Sequence, residues 1–407
     1  MITDIQQLIP ELRFPEFEGE WEKKKLKDIL EFKNGINASK DDYGFGFKFI
    51  NVLDIIENDF ITHDKIVGKV NVSQEIFEKN LVQYGDILFQ RSSETREEVG
   101  QSNVYLDKGN SATFGGFVIR GRKIGEYDPF FFHLLLKSSI ARKEITSKAG
   151  GSTRYNVGQG ILSSIVLSFA GLPEQQKISS FLTIIDSRIQ ALEKKKSSLE
   201  QYKKGVMQKI FTQEIRFKDA DGKDFPEWEE KKLGEVCKFF SGGTPKSTNK
   251  RFYSGDIPFI GSGNISDSMV NSFITNEALN NSSAKLIECG DLLYALYGAT
   301  SGEVAISKLT GAINQAVLCI RTKENKNYLF QLLKFNQEKI VKTFIQGGQG
   351  NLSAKIIKEL KFSLPSRPEQ THIANFLTAL DKKIELVNEQ IEKTKAYKKG
   401  LLQKMFV

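Results

Sequence analysis

One segment of this chain occurs twice, and that repetition limits what the chain can fold into more than any other feature. The segment opens with Pro173-Glu174-Gln175 and closes with Tyr202-Lys203-Lys204-Gly205 and then Gln208-Lys209-Ile210-Phe211. Near the C-terminus the chain reads Pro368-Glu369-Gln370, then Tyr397-Lys398-Lys399-Gly400, then Gln403-Lys404-Met405-Phe406. Between these ends Phe181, Leu182, Thr183, Asp186 and Ile189 recur as Phe376, Leu377, Thr378, Asp381 and Ile384, always 195 residues on and without a gap. A gapless repeat of this length makes the chain two copies of one unit.

Each copy reads as one long helix. Pro173 and Pro368 suit a first helical turn, where the missing N–H costs nothing, and Glu174 and Glu369 favour the positive end of the helix dipole. No proline or glycine follows until Gly205 and Gly400. Apolar residues fall on a heptad beat at Ile178, Ile185, Leu192, Leu199 and Val206, with Leu182, Ile189 and Ile210 one helical turn on. The second copy keeps the beat with Ile373, Leu380, Val387 and Leu401, accompanied by Leu377, Ile384, Ile391 and Met405. That is the spacing of a coiled-coil seam, and it assigns Ile178, Ile185, Leu192, Ile373, Leu380 and Val387 to the contact between helices. Lys196, Lys203, Thr394 and Lys398 interrupt it. A single amphipathic helix has little stability alone, so each needs a partner, and the other copy is the one expected. At about 1.5 Å per residue each helix would span roughly 55 Å. A dimerisation coil or two ordinary core helices would share the spacing; the length, and the globular segment ahead of each helix, argue against both.

The order is therefore globular, helix, globular, helix, with boundaries expected at residues 1–170, 171–212, 213–364 and 365–407. Residues Met1 to about Phe17 read as a loosely ordered arm. Trp21-Glu22-Lys23-Lys24-Lys25-Leu26 is echoed by Trp228-Glu229-Glu230-Lys231-Lys232-Leu233, and Leu12-Arg13-Phe14 by Ile215-Arg216-Phe217. Both tryptophans read as core anchors. Gly85-Asp86-Ile87-Leu88-Phe89 matches Gly290-Asp291-Leu292-Leu293-Tyr294, a turn feeding a buried strand. Phe117-Val118-Ile119-Arg120 is set against Leu318-Cys319-Ile320-Arg321. Core helices follow from Phe130 and from Tyr328, the first opening at Asp128-Pro129. Glycine-rich polar turns come next, Gly150 to Asn156 and Gly347 to Asn351. Mixed short strands and helices make each globular unit α+β.

With 407 residues the chain holds two domains and their spacers. Its formal charge of +8 and pI of about 9.0 suit a polyanionic partner. Cys237, Cys289 and Cys319 lie far apart, without a CxxC pair, and read as reduced, buried thiols of a cytoplasmic protein. The N-terminus is unlike a signal peptide, and no apolar run reaches the roughly 20 residues that span a bilayer. No catalytic constellation emerges. His63, His133 and His372 are scattered, no Cys/His set has metal spacing, and no phosphate loop is present, because Gly298-Ala299-Thr300-Ser301-Gly302 lacks its lysine. What remains suits binding. Gln90, Arg91, Ser92, Ser93, Arg96 and Arg154 in the first unit, and Lys246, Ser247, Thr248, Asn249, Lys250 and Arg251 in the second, lie in polar, glycine-bearing loops. Arg and Lys pair with guanine and Asn or Gln with adenine, while other cations hold phosphates and set the register.

Leu172-Pro173-Glu174-Gln175 before a long helix, repeated as Pro368-Glu369-Gln370, resembles the DNA-specificity subunit of type I restriction–modification systems. So do Gly243-Thr244-Pro245-Lys246-Ser247, followed by Tyr253-Ser254-Gly255-Asp256-Ile257-Pro258-Phe259-Ile260, and Asn314-Gln315 ahead of an apolar strand. The resemblance covers essentially the whole chain. The first unit departs from it with Gly35-Ile36-Asn37 in place of the Gly-Thr-Pro turn. Counted back from Arg120 and Arg321, it also has Thr113-Phe114 where the second unit has Asn314-Gln315.

The resemblance implies two α/β target recognition domains related by the internal repeat, separated by two long antiparallel coiled-coil helices. It implies a subunit that is not an enzyme and that reads a bipartite, asymmetric target on double-stranded DNA. Two modification (methyltransferase) subunits, which bind S-adenosylmethionine, and restriction (endonuclease/translocase) subunits would be its partners, and no cofactor would belong to this chain. Half-sites read from one face of B-DNA lie roughly 34–36 Å apart. A coiled-coil adaptor without sequence-specific DNA binding is the alternative; a stand-alone DNA enzyme is a third, disfavoured by the missing donor and metal motifs.

Overall fold

The structure, a computed structural model, describes residues 8–344 and 351–407. It divides into two compact units, Met1–Leu192 with Gln390–Val407 and Glu193–Glu389. In the first, the strands Leu30–Asn34, Val118–Lys123, Ile87–Gln90 and Ser102–Val104 lie side by side in that order, all antiparallel. A second sheet orders Lys69–Val70, Tyr43–Ile50 and Thr113–Phe114, the last pair parallel. Glu22–Lys25 pairs with Val166–Phe169, and the helices Pro129–Lys137 and Ser139–Lys148 follow the main sheet. The second unit repeats this plan. Its main sheet is Cys237–Ser241, Val317–Thr322, Leu292–Ala295 and Val304–Ile306; its mixed sheet is Phe273–Ile274, Ile257–Ile260, Gly311–Ile313 and Lys285–Ile287. Glu229–Lys232 pairs with Lys361–Leu364. Both units are thus α+β, built on the repeat.

Strand register corrects one detail of the repeat. Phe32 faces Gly121, and its counterpart Phe239 faces Ile320. Arg122, not Arg120, therefore corresponds to Arg321, and both make the same ion pair: Arg122 with Asp86 at 3.2 Å and Arg321 with Asp291 at 2.7 Å. A slip of two residues keeps every side chain on its own face of the sheet, so the apolar pattern alone does not reveal it. In the true register Gly115-Gly116-Phe117, not Thr113-Phe114, stands where the second unit has Asn314-Gln315-Ala316.

The two long helices run Leu172–Phe211 and Arg367–Lys404. The six seam residues are all buried, but Ile178 and Ile373 serve globular cores as much as a helix partner. In the first unit Ile178, Leu182, Ile185 and Ile189 join Leu401, Met405 and Phe406 around Trp21 and Phe131. In the second, Met207 and Ile210 join Ile373, Leu377 and Leu380 around Tyr328 and Leu332. The polar interruptions of the stripe are answered. Lys203 Nζ meets Asp381 at 2.5 Å and Lys196 Nζ meets Asn388 Oδ1 at 2.7 Å in the second unit, which sets the two helices antiparallel there. Lys398 Nζ meets Asp186 at 2.5 Å in the first. Lys203–Asp381 and Lys398–Asp186 exchange equivalent residues of the repeat. Thr394 bonds back to the Gln390 carbonyl of its own helix.

The Pro-Glu-Gln signature proves to be a clamp more than a dipole device. Glu174, almost wholly buried, accepts two hydrogen bonds from Arg13 at 2.8 and 2.7 Å; Glu369 accepts from Arg216 at 3.2 and 3.0 Å and from Trp228 Nε1 at 3.1 Å. Gln175 accepts from the Asp128 N–H and donates to the Ala170 carbonyl, and Gln370 does the same between Asn325 and Pro365. Asp128 and Asn325 are the N-caps of the next helices, so one glutamine ties a long helix to a core helix in each unit.

These contacts also correct the expectation of a loose arm. From Leu8 onward the arm is docked: the Leu8 carbonyl accepts from the Trp21 N–H, Leu12 N–H donates to the Lys404 carbonyl at 2.9 Å, and Arg13 fills the clamp. Ile215 N–H donates to the Lys209 carbonyl at 3.1 Å in the equivalent place of the second unit.

Candidate nucleic-acid interface

In the first unit the strand Ile87–Gln90 leads directly into a loop whose residues Ser92–Ser93 pair antiparallel with Tyr155–Asn156. That pairing brings the Gln90–Arg96 and Gly150–Asn156 stretches together. Gly151 permits it: its φ is +113°, and a Cβ there would lie 2.1 Å from the Arg154 carbonyl oxygen. Arg91, Arg96 and Arg154 are exposed, and the Arg96 guanidinium lies 5.7 Å from the Tyr155 ring centroid. Ser92 donates to Asn156 Oδ1.

Two of the predicted readers are buried. Gln90 is only 6% exposed and donates through Nε2 to the Ser92 carbonyl at 2.9 Å. Ser93 is buried between Glu98, to which it donates, and the Thr95 N–H, from which it accepts. Gln90 closes a strand of the main sheet, and Ser93 lies on the short strand paired with Tyr155–Asn156. Gln90 Oε1 has no partner among the described residues, and its side chain borders a cavity of about 350 Å³ shared with Ser92, Glu94, Phe117 and Arg154.

In the second unit the predicted residues follow the strand Cys237–Ser241. Lys246, Ser247, Thr248, Lys250 and Arg251 are exposed. Asn249 caps the short 3₁₀ turn Lys250–Tyr253, accepting from the Arg251 N–H at 3.3 Å, and is half-buried in doing so. Tyr253 Oη donates to the Pro245 carbonyl at 2.7 Å, which folds the turn back on itself. Thr244 Oγ1 donates to Gln315 Oε1 at 2.6 Å, joining this loop to the turn ahead of Val317–Thr322. Gly242 is required for that closeness, since a Cβ there would meet the Ile313 carbonyl oxygen at 1.7 Å.

The two predicted sets do not sit on equivalent loops. Matched through Gly85-Asp86 and Gly290-Asp291, the counterpart of Arg91–Arg96 is Leu296–Ser301, overlapping the stretch whose missing lysine excludes a phosphate loop. There Thr300 Oγ1 donates to the Ser262 carbonyl at 3.0 Å, and Gly298 and Gly302 have φ of +96° and +88°. Phe117 and Gln315 are exposed beside these loops and were not singled out. The repeated Gly-Asp turn was the signal that could have found the first loop, and strand register the second. Gly347–Gly350 lie outside the described residues.

The first loop is electrostatically mixed, with exposed Glu94, Glu97 and Glu98 beside Arg91 and Arg96. Burial and the neighbouring Arg120 and Lys79 hold the Lys33 ammonium below its usual range. Burial pushes the Cys319 thiol up to about 12 and the Cys237 thiol up as well, so both stay protonated. Cys289 is exposed, contrary to the expected burial. Burial, reinforced by Lys137, holds His133 well below the usual imidazole value, so it is a neutral core residue. Among the described residues no group of three or more His, Cys, Asp and Glu could hold a metal ion, and no helix is long and apolar enough to cross a membrane.

Comparison with known proteins gives the same picture twice over. The family model for the type I restriction modification DNA specificity domain matches residues 18–201 and again 226–396. The MjaIX type I restriction enzyme specificity subunit of Methanocaldococcus jannaschii is 23% identical over 408 residues, covering 95% of this chain and 92% of the relative. A second M. jannaschii protein of the same class is 28% identical over 405 residues, covering 93% and 92%. Among solved structures, a type I restriction–modification S subunit from M. genitalium superposes with a TM-score of 0.59 at 17% identity, covering 98% of this chain and 99% of that one. A chain from a study of assembly and conformational transition in the type I R-M system gives 0.60 at 17%, covering 95% and 96%.

Proposed function

The chain belongs to the type I restriction modification DNA specificity family, and on that premise we propose that it is the subunit that reads a bipartite, asymmetric DNA target and brings partner methyltransferase and restriction subunits to it. The observation that carries this reading is the double family match, at residues 18–201 and 226–396, because each match contains its own set of exposed polar loops. In the first unit these carry Arg91, Arg96 and Arg154, with Ser92 between them. In the second they carry Lys246, Ser247, Thr248, Lys250 and Arg251. The cations suit phosphates, and the short polar side chains suit base edges. Because the two sets differ in composition and in loop, each unit would read a different half-site, which makes the target asymmetric.

This chain supplies recognition and no chemistry. S-adenosylmethionine would be held by the modification subunits, of which the internal repeat offers equivalent docking surfaces to two. Nothing observed favours the adaptor reading. The test is an exchange of residues 213–364 for those of a relative, followed by genome-wide mapping of methylated adenine in a host carrying the partner subunits. One half of the target should change and the other stay. A change in both halves would refute independent reading, and methylation by the isolated chain with S-adenosylmethionine would refute a purely recognising role.

A further inference from the structure

The turn that enters the central strand of each main sheet is built from non-matching residues. In the second unit it exposes Gln315, held by Thr244, while Ala316 is buried. In the first unit the same turn has glycines at those two places and then Phe117, which is 64% exposed. An aromatic ring left in water at the mouth of a buried strand costs hydrophobic free energy that the fold does not recover. Phe117 is not isolated. Its carbonyl accepts from the Arg91 N–H at 2.9 Å, which fixes it to the predicted reading loop. It borders the cavity lined by Gln90, Ser92 and Arg154, and a second cavity of about 270 Å³ with Tyr43 and the exposed Leu53.

We infer that Phe117 is a specificity-determining residue of the first unit and that it recognises the C5-methyl of a thymine. This rests on the specificity reading above. The bulkiest apolar group that the major groove of B-DNA presents is the thymine methyl, among edges made mostly of hydrogen-bond donors and acceptors. It is the group that best complements an exposed ring beside Arg91 and Arg154, on a cavity also bordered by Glu94 and Glu98. Arg154, on the same cavity, is placed for the flanking phosphate. The second unit, with Gln315 and buried Ala316 at this turn, lacks the apolar group, so methyl recognition belongs to one half-site alone.

The test uses the full complex and its methylation target, with each thymine replaced singly by deoxyuridine, which lacks only the methyl. Wild type should lose about fourfold in affinity, the worth of one buried carbon, at one thymine of the half-site assigned to the first unit by the exchange experiment. It should lose nothing in the other half-site. In Phe117→Ala that penalty should fall below about 1.5-fold, and Phe117→Leu should keep most of it. Because Phe117 is exposed, neither variant threatens the fold. The inference is overturned if no deoxyuridine matters in that half-site, or if Phe117→Ala keeps the full penalty. If wild type prefers no sequence over unrelated duplex, the specificity reading itself fails, and that outcome is distinct.

Discussion

Phe406, close to the C-terminus, should stabilise the N-terminal half of the chain. Its side chain is 3% exposed, and its ring centroid lies 5.4 Å from that of Phe131 and 6.1 Å from that of Trp21, edge-on to the latter. Leu401 and Met405 complete the same core. Phe406→Ala removes a buried ring from between two aromatic neighbours, at a cost of about 3–5 kcal/mol for a Phe-to-Ala change in a core. For a unit of this size each kcal/mol lowers the midpoint by about 2–4 °C, so a loss of roughly 10 °C is expected. Hydrogen exchange read by mass spectrometry locates the damage. Amides of Leu30–Asn34 and Pro129–Lys137 should lose protection, while those of Cys237–Ser241 and Lys326–Phe335 keep it. Phe211 is the repeat counterpart, packed 5.0 Å from Phe335 and 6.0 Å from Tyr328, and Phe211→Ala should give the opposite pattern. If Phe406→Ala loosened the second unit, or left the first intact, the assignment of the last turns to the first unit's core would be wrong.

Three further outcomes are expected. Arg216→Met leaves the buried Glu369 carboxylate with Trp228 as its remaining donor and should cost about 3–5 kcal/mol, whereas Arg216→Met with Glu369→Leu should recover most of it; an additive double-mutant cycle in urea unfolding would count against the clamp. Gly205→Ala should stabilise the chain by about 0.5–1 kcal/mol, because the residue lies inside a helix with nothing within 4 Å of a built Cβ; a fall in the thermal midpoint would show a crowding that the structure lacks. The buried neutral His133 sets a pH dependence. Its folded value is depressed, so below about 6.5 the unfolded chain takes up a proton that the folded chain refuses. Stability should be fully present above about pH 6.5 and fall by up to about 1.4 kcal/mol per unit as pH drops from there. His133→Phe should lose the part of the slope that His133 supplies between about pH 6.5 and 5.5, and a slope unchanged from wild type would refute the assignment.

The architecture was legible because it was written in duplicate. The helices followed from their uninterrupted apolar beat, and Asp128-Pro129 announced the core helix that it caps. The Trp21 and Trp228 echoes marked the start of each unit. What could not be read were features that depend on long-range pairing. The partner of Glu174 lies 161 residues away, so its position in a first helical turn suggested only the dipole. Arg120 passed for the match of Arg321 because a slip of two residues leaves the strand pattern unchanged. Gln90, ending a main-sheet strand, and Ser93, on the short strand paired with Tyr155–Asn156, are polar residues that the fold buries, and Phe117 is an apolar one that it exposes. Composition speaks for the opposite placement in each case.

The hydrogen bond from Leu12 to Lys404 has a consequence for biosynthesis. Domains generally fold in the order in which the ribosome delivers them. Here the second unit, Glu193–Glu389, is fully translated while the first still lacks Gln390–Val407. The half made first therefore stays incomplete after the second is translated, and its nascent core must wait, incompletely sealed around Trp21 and Phe131, for Gln390–Val407 to leave the exit tunnel.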